Sequence, residues 1–170
     1  HLTFAGCNNI NVTGCTFSGH FNASDDNMEA LQLDILEPEH FPNYKDYPKS
    51  YDGTMNTNIN ITGNTFTNVN RGVGCHSVFS GKYMSGINIS NNTFTNVAGY
   101  AVLASSFINT TINNNVITDC GSGIYYKSIN PKNGSTERPN TYKCNGISYA
   151  PTVNASSQIC NNQIRITKFM

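Results

Sequence analysis

Short stretches in which apolar and polar residues alternate, break at a Gly-Asn or Asn-Asn pair and then resume, recur along the whole chain. The clearest copies run from Ile10 through Val12, Gly14 and Cys15 to Phe17, from Ile59 through Ile61, Gly63 and Asn64 to Phe66, and from Ile87 through Ile89, Asn91 and Asn92 to Phe94. Weaker copies span Thr110 to Ile117 and Ser157 to Ile164. Alternation with a period of two predicts half-buried strands. The interrupting pair predicts a tight turn, because Gly and Asn tolerate left-handed backbone. Each copy therefore predicts a strand, a turn and a second strand.

Superposing the copies turns the sequence into files. Val12, Ile61, Ile89, Ile112 and Ile159 form one apolar file; Phe17, Phe66, Phe94, Ile117 and Ile164 form another. At the ~4.8 Å spacing of paired strands, each file becomes a line of touching side chains in a narrow core. The turn file reads Cys15, Asn64, Asn92, Asn115, Asn162. It predicts an internal asparagine ladder whose amides satisfy the turn backbone and which ends at Cys15. A further strand follows each repeat, at Leu2 to Ala5, Glu29 to Ile35, Arg71 to Ser77, Tyr100 to Ser105 and Gly123 to Lys127. Its inward files are Leu2, Leu31, Val73, Val102, Ile124 and Phe4, Leu33, Cys75, Ala104, Tyr126. Cys75, and by its register Cys120, thus read as buried apolar thiols rather than nucleophiles.

A repeat of this kind predicts an all-β chain, a right-handed parallel β-helix, with residues 1–170 forming one segment of the solenoid. Uneven spacing between copies predicts two loop excursions, at about 36–57 and 130–155. Loops of that length are more often functional than accidental. A solenoid end exposes a core cross-section and unpaired strand edges. No cap is legible at either end, so a fragment of a longer solenoid is expected, its ends covered by further coils or by a second chain.

Composition narrows the partners. Ten basic residues balance ten acidic ones, so there is no electrostatic case for nucleic acid or an anionic membrane. No apolar run approaches the ~20 residues that span a bilayer, and any secretion signal would lie outside these residues. The six cysteines lack CxxC spacing, which argues against a zinc site and a dense disulfide scaffold. A Cys7–Cys15 or a Cys144–Cys160 bridge remains open. Asn-x-Ser/Thr sequons, as at Asn11 and Asn60, arise readily in so Asn- and Thr-rich a chain and carry no reading of glycosylation.

The Asn-Ile-Thr-Gly-Asn-Thr-Phe pattern at 60–66 and its copies resemble the parallel β-helix repeats of the pectin-lyase-like superfamily. Polygalacturonase motifs find only lookalikes here, in Asp25-Asp26, Gly74-Cys75-His76-Ser77 and Arg165-Ile166-Thr167-Lys168, and no Asn-Thr-Asp occurs. Pectate lyases need a calcium-binding acidic cluster. Only Asp25, Asp26, Glu29 and Asp34 lie together in sequence, so calcium gains little support and no other cofactor is expected. The strand Glu29 to Asp34, followed by a loop and Arg71 to Ser77, looks more like secreted bacterial β-helix glycosidases such as lacto-N-biosidases. That resemblance implies an extracellular or cell-surface hydrolase, rather than a lyase, with two catalytic aspartates acting on an oligosaccharide or polysaccharide.

The residues themselves locate a site. Outward files of the further strand run Thr3, Gln32, Gly74, Leu103, Tyr125 and Ala5, Asp34, His76, Ser105, Lys127. Asp34 and His76 should be neighbours on adjacent coils, and Gly74 should leave a hollow beside Gln32. Glycoside hydrolysis needs two carboxylates. Asp34 is expected to be one and Asp26 or Glu29 the other, with Asp25 a further possibility and His76 orienting Asp34. Gln32, Arg71, Tyr44, Tyr47, Tyr125 and Lys127 are the expected sugar contacts, and no metal ligands are expected. The rival expectation is a non-catalytic glycan-binding or spacer module of a surface protein, and a trimeric tail-spike is a remoter one.

Overall fold

The computed structural model describes residues 1–20, 28–36, 52–75, 81–128, 142–144, 146–151 and 156–167, all of them strand, turn or irregular chain. The chain lays down β1 (Leu2–Ala5), β2 (Asn8–Thr13) and β3 (Thr16–His20), then repeats the set. A second round is β4 (Glu29–Asp34), β5 (Thr57–Thr62) and β6 (Thr65–Val69), and a third is β7 (Arg71–Cys75), β8 (Met84–Ser90) and β9 (Thr93–Val97). Next come β10 (Tyr100–Ser105), β11 (Phe107–Ile108), β12 (Thr111–Asn113) and β13 (Val116–Cys120). The last group is β14 (Ser122–Ser128), β15 (Tyr142–Cys144), β16 (Ile147–Pro151), β17 (Gln158–Cys160) and β18 (Gln163–Ile166).

Successive strands enter three different sheets in rotation. The seven-stranded sheet is ordered β1-β4-β7-β10-β14-β16-β15, the six-stranded one β17-β12-β8-β5-β2 with β11 also on β8, and the five-stranded one β18-β13-β9-β6-β3. Each pairing is parallel except that of β15 with β16. Parallel neighbours need a long crossover. Here the crossover is the rest of the round, so a strand's partner is its sequence equivalent one repeat away.

Register follows the predicted files. Val12 lies against Ile61, Ile61 against Ile89, and Ile89 and Ile159 against Ile112. Phe17, Phe66 and Phe94 stack with ring centroids 4.8 Å and 4.7 Å apart, matching the strand spacing. The first and last rounds are less covered than those between them. Leu2 keeps the register of its inward partner Leu31, yet it is 37% exposed whereas Leu31 is fully buried, because no strand covers its other side among the described residues.

The asparagine ladder is continuous. Asn64 Oδ1 accepts from Cys15 N, Asn92 Oδ1 from Asn64 N, Asn115 Oδ1 from Asn92 N and Asn162 Oδ1 from Asn115 N, at 2.9 to 3.0 Å. Each amide nitrogen donates back to a strand carbonyl of the preceding round: Val12, Ile61, Ile89 and Ile112 in turn. Just before the ladder, Gly14, Gly63, Asn91, Asn114 and Asn161 all have positive φ. The sharp turn needs a left-handed residue followed by an amide, hence Gly-Asn or Asn-Asn.

Tyr126 is an inward residue with a polar tip. Its hydroxyl donates to Phe107 O at 2.6 Å and meets Ser157 Oγ at 2.8 Å, while Ser157 Oγ accepts from Thr110 N. Tyr126→Phe should leave the Phe107 carbonyl without this donor and cost about 1–3 kcal/mol, measurable by urea denaturation. Burial also raises the Tyr126 pKa above its ordinary 10.0. The neutral phenol is therefore the form that folding favours. Its contribution is complete below about pH 10 and is lost as pH rises through the folded pKa. Wild-type stability should therefore fall as pH rises above about 10, and this part of the loss should be absent from Tyr126→Phe, as urea midpoints against pH would show.

The structure bears on two of the sequence readings. The stretch 130–155 is not all loop, since β15 and β16 lie within it and extend the seven-stranded sheet, Tyr142 opposite Tyr149. No disulfide joins Cys7 to Cys15 or Cys144 to Cys160, because Cys7, Cys15 and Cys160 are free thiols. Cys75 and Cys120 are buried as expected. The first excursion has a fixed neck: Leu36 N donates to Thr54 O and Gly53 N to Leu36 O.

Candidate active site

In β4 the order Glu-Ala-Leu-Gln-Leu-Asp sends Leu31 and Leu33 into the core and turns Gln32 and Asp34 to the other face. Pairing then sets Thr3, Gln32, Gly74, Leu103 and Tyr125 in one file and Ala5 beside Asp34 in the next. Ser105 pairs with Lys127 in the continuation of that second file. This outward face is sheltered: Gln32, Asp34, Leu103 and Ser105 are all buried, whereas outward Thr65, Thr93 and Val116 of the five-stranded sheet are exposed.

Asp34 is held from several sides. Gln32 Nε2 donates to Oδ2 at 3.0 Å and Ile35 N to Oδ1 at 2.8 Å. Its own carbonyl accepts from Asn56 Nδ2 at 2.7 Å. Buried Asn56 also accepts from Cys7 N and donates to Phe4 O, so one amide ties the ends of β1 and β4 together. That anchor was missed in the sequence because Asn56 stands alone in its file, with no repeating amide to mark it.

Glu29 occupies a different environment. Fully buried at the start of β4, it receives Arg71 Nη1 at 3.2 Å from the adjacent strand. Five residues of extended chain put it roughly 16 Å along the strand from Asp34. That exceeds the ~5–9.5 Å separation of a glycosidase carboxylate pair. Glu29 and Arg71 form an ion pair that joins β4 to β7.

A further carboxylate stands next to the backbone pairing that follows β4. Asp52 precedes Gly53 in the neck that hydrogen-bonds Leu36, two residues beyond Asp34. It accepts from Thr54 N at 2.9 Å and from the Thr54 hydroxyl. The hydroxyl bond first, then the backbone one, lowers its pKa below 3.8. Asp52 was overlooked because the bonds of its neighbours Gly53 and Thr54 to Leu36 are a backbone pairing across a loop, which no local pattern announces.

The rest of the expected site divides. Tyr125 and Lys127 stand half-exposed on the same face, with the ammonium 5.7 Å from the Tyr125 ring centroid, and Tyr100 tilts against Tyr125 at 5.6 Å. Asp25, Asp26, His76, Tyr44 and Tyr47 lie outside the described residues, and with them the expected Asp34–His76 contact. Among the described residues no three His, Cys, Asp or Glu side chains gather as metal ligands.

Gly74 does not open the expected hollow. A β-carbon there would lie 2.2 Å from the Leu103 carbonyl oxygen, so the missing side chain is what lets β7 and β10 approach. Gly74→Ala must push those strands apart and should cost about 1–3 kcal/mol, read as a lowered melting temperature. No family model matches the chain, and neither does any curated protein or solved structure.

Proposed function

We propose that the chain is a segment of a right-handed parallel β-helix of the pectin-lyase-like kind and that it is a secreted or surface-bound glycoside hydrolase. The substrate is an oligosaccharide or polysaccharide, bound on the outward face of the seven-stranded sheet. The observation that carries this reading is Asp34, a carboxylate on a sheltered strand face, oriented through both oxygens by Gln32 and a backbone amide. Such a group has the fixed aim that acid–base work at a glycosidic oxygen requires. Its partner is Asp52, lowered in pKa and so ionised at neutral pH, or Asp26; the ionised member serves as nucleophile or activates water. Tyr125 supplies an aromatic face for a sugar ring, and Lys127 and Gln32 supply donors.

A non-catalytic glycan-binding module is the second reading, favoured by one observation. The other carboxylate of β4, Glu29, is committed to Arg71. Incubation with a panel of 4-nitrophenyl glycosides and with neutral and acidic oligosaccharides separates the two. Hydrolysis that disappears in Asp34→Asn supports the enzyme. Glycan-array binding with no product by mass spectrometry replaces it with the binding module.

A further inference from the structure

Ser105 ends β10 on the outward side, between inward Ala104 and the turn. It is 0% exposed, and among the described residues none donates to or accepts from its hydroxyl. A buried hydroxyl without a partner forfeits its hydration, a cost that proteins rarely carry without a reason. Its position supplies one. Ser105 lies two residues beyond Leu103 as Asp34 lies two beyond Gln32, and Gln32, Gly74 and Leu103 share one file. Ser105 and Asp34 therefore belong to one outward file, two strands and roughly 9–10 Å apart. On its other side Ser105 pairs with Lys127, next to the half-exposed Tyr125 ring.

We propose that the Ser105 hydroxyl is a ligand contact, exchanging a hydrogen bond with a sugar hydroxyl in a subsite between Asp34 and the Tyr125–Lys127 pair. This rests on the carbohydrate reading and deepens it. The subsite takes a ring whose hydroxyl points at the strand, while Tyr125 covers a ring face. A hydroxyl unsatisfied in the free protein gains its partner only on binding, so stability and affinity depend on it with opposite signs. Removing it relieves a buried polar group in the free state and removes a bond from the complex.

Ser105→Ala is compared with wild type by thermal denaturation without ligand and by kinetics on whichever 4-nitrophenyl glycoside wild type hydrolyses fastest. Where wild type binds without hydrolysing, calorimetry with the strongest array oligosaccharide takes the place of kinetics. The expected result is an unchanged or higher melting temperature together with a KM or Kd raised roughly tenfold. A lowered melting temperature with unchanged KM or Kd would show that the hydroxyl serves the free protein, and would overturn the proposal while leaving the Asp34 reading intact. Unchanged affinity with unchanged stability overturns it equally. If wild type binds no glycoside or array glycan, the carbohydrate reading fails and this subsite with it.

Discussion

Asn92→Ala is expected to destabilise the protein by about 3–5 kcal/mol, a large share of the stability a chain of this size has. Asn92 Oδ1 accepts from both Asn64 N and Asn64 Nδ2, and its own amide nitrogen donates to Ile61 O and Asn115 Oδ1. Alanine leaves the Asn64 N–H and the Ile61 carbonyl without these partners in the interior, each costing about 1–3 kcal/mol, and adds a small void. Asn92→Asp should be worse at neutral pH, because a carboxylate can still accept from Asn64 but faces two acceptors with no hydrogen to give. Acidification restores one donor, so urea midpoints of this variant should rise as pH falls. Asn60 is the control. It sits in an outward file, donating to Asn11 Oδ1 at 2.9 Å and accepting from Asn88 at 3.3 Å, and Asn60→Ala should change stability by no more than about 0.5 kcal/mol. Equal losses at positions 60 and 92 would remove the ladder from its role in the fold.

Asp34→Asn is expected to lower kcat on the best glycoside by about 10³-fold or more while leaving the melting temperature near that of wild type. The kinetic loss is at the scale of a general acid, base or nucleophile removed from its reaction. The structural neutrality follows from Gln32. An asparagine keeps an oxygen for Ile35 N and turns its NH₂ toward Gln32, whose own amide can flip to present an oxygen. Asp52→Asn tests the partner on the same assay, with a comparable loss expected if it is the ionised member. A variant that stays folded and fully active at position 34 would end the catalytic reading of this face.

Much of this was legible in the sequence for a definite reason. A file that repeats at each round is a pattern written several times, so the phenylalanine stack, the isoleucine file, the Asn64–Asn92–Asn115–Asn162 ladder and its end at Cys15 could be read from letters alone. The outward files of Gln32 and Asp34 came from the same periodicity. What occurs once could not be read. Asn56 fastening β1 to β4, Asp52 carried back by the neck at Leu36, and the β15–β16 pair inside a supposed loop each depend on a contact with no repeat to announce it.

The alternating sequence by itself determined which side chains turn inward, which turn outward and where the chain bends, because a strand's period of two and the left-handed tolerance of Gly and Asn are local properties. Only the tertiary structure decided which outward positions are sheltered and which polar groups find partners. The pairing of Glu29 with Arg71 from the neighbouring strand, and the closing of the Leu103 backbone on Gly74 where a hollow was expected, are of this kind. Burial and pairing across rounds arise from the packing of distant segments, and the letters at a position do not encode them.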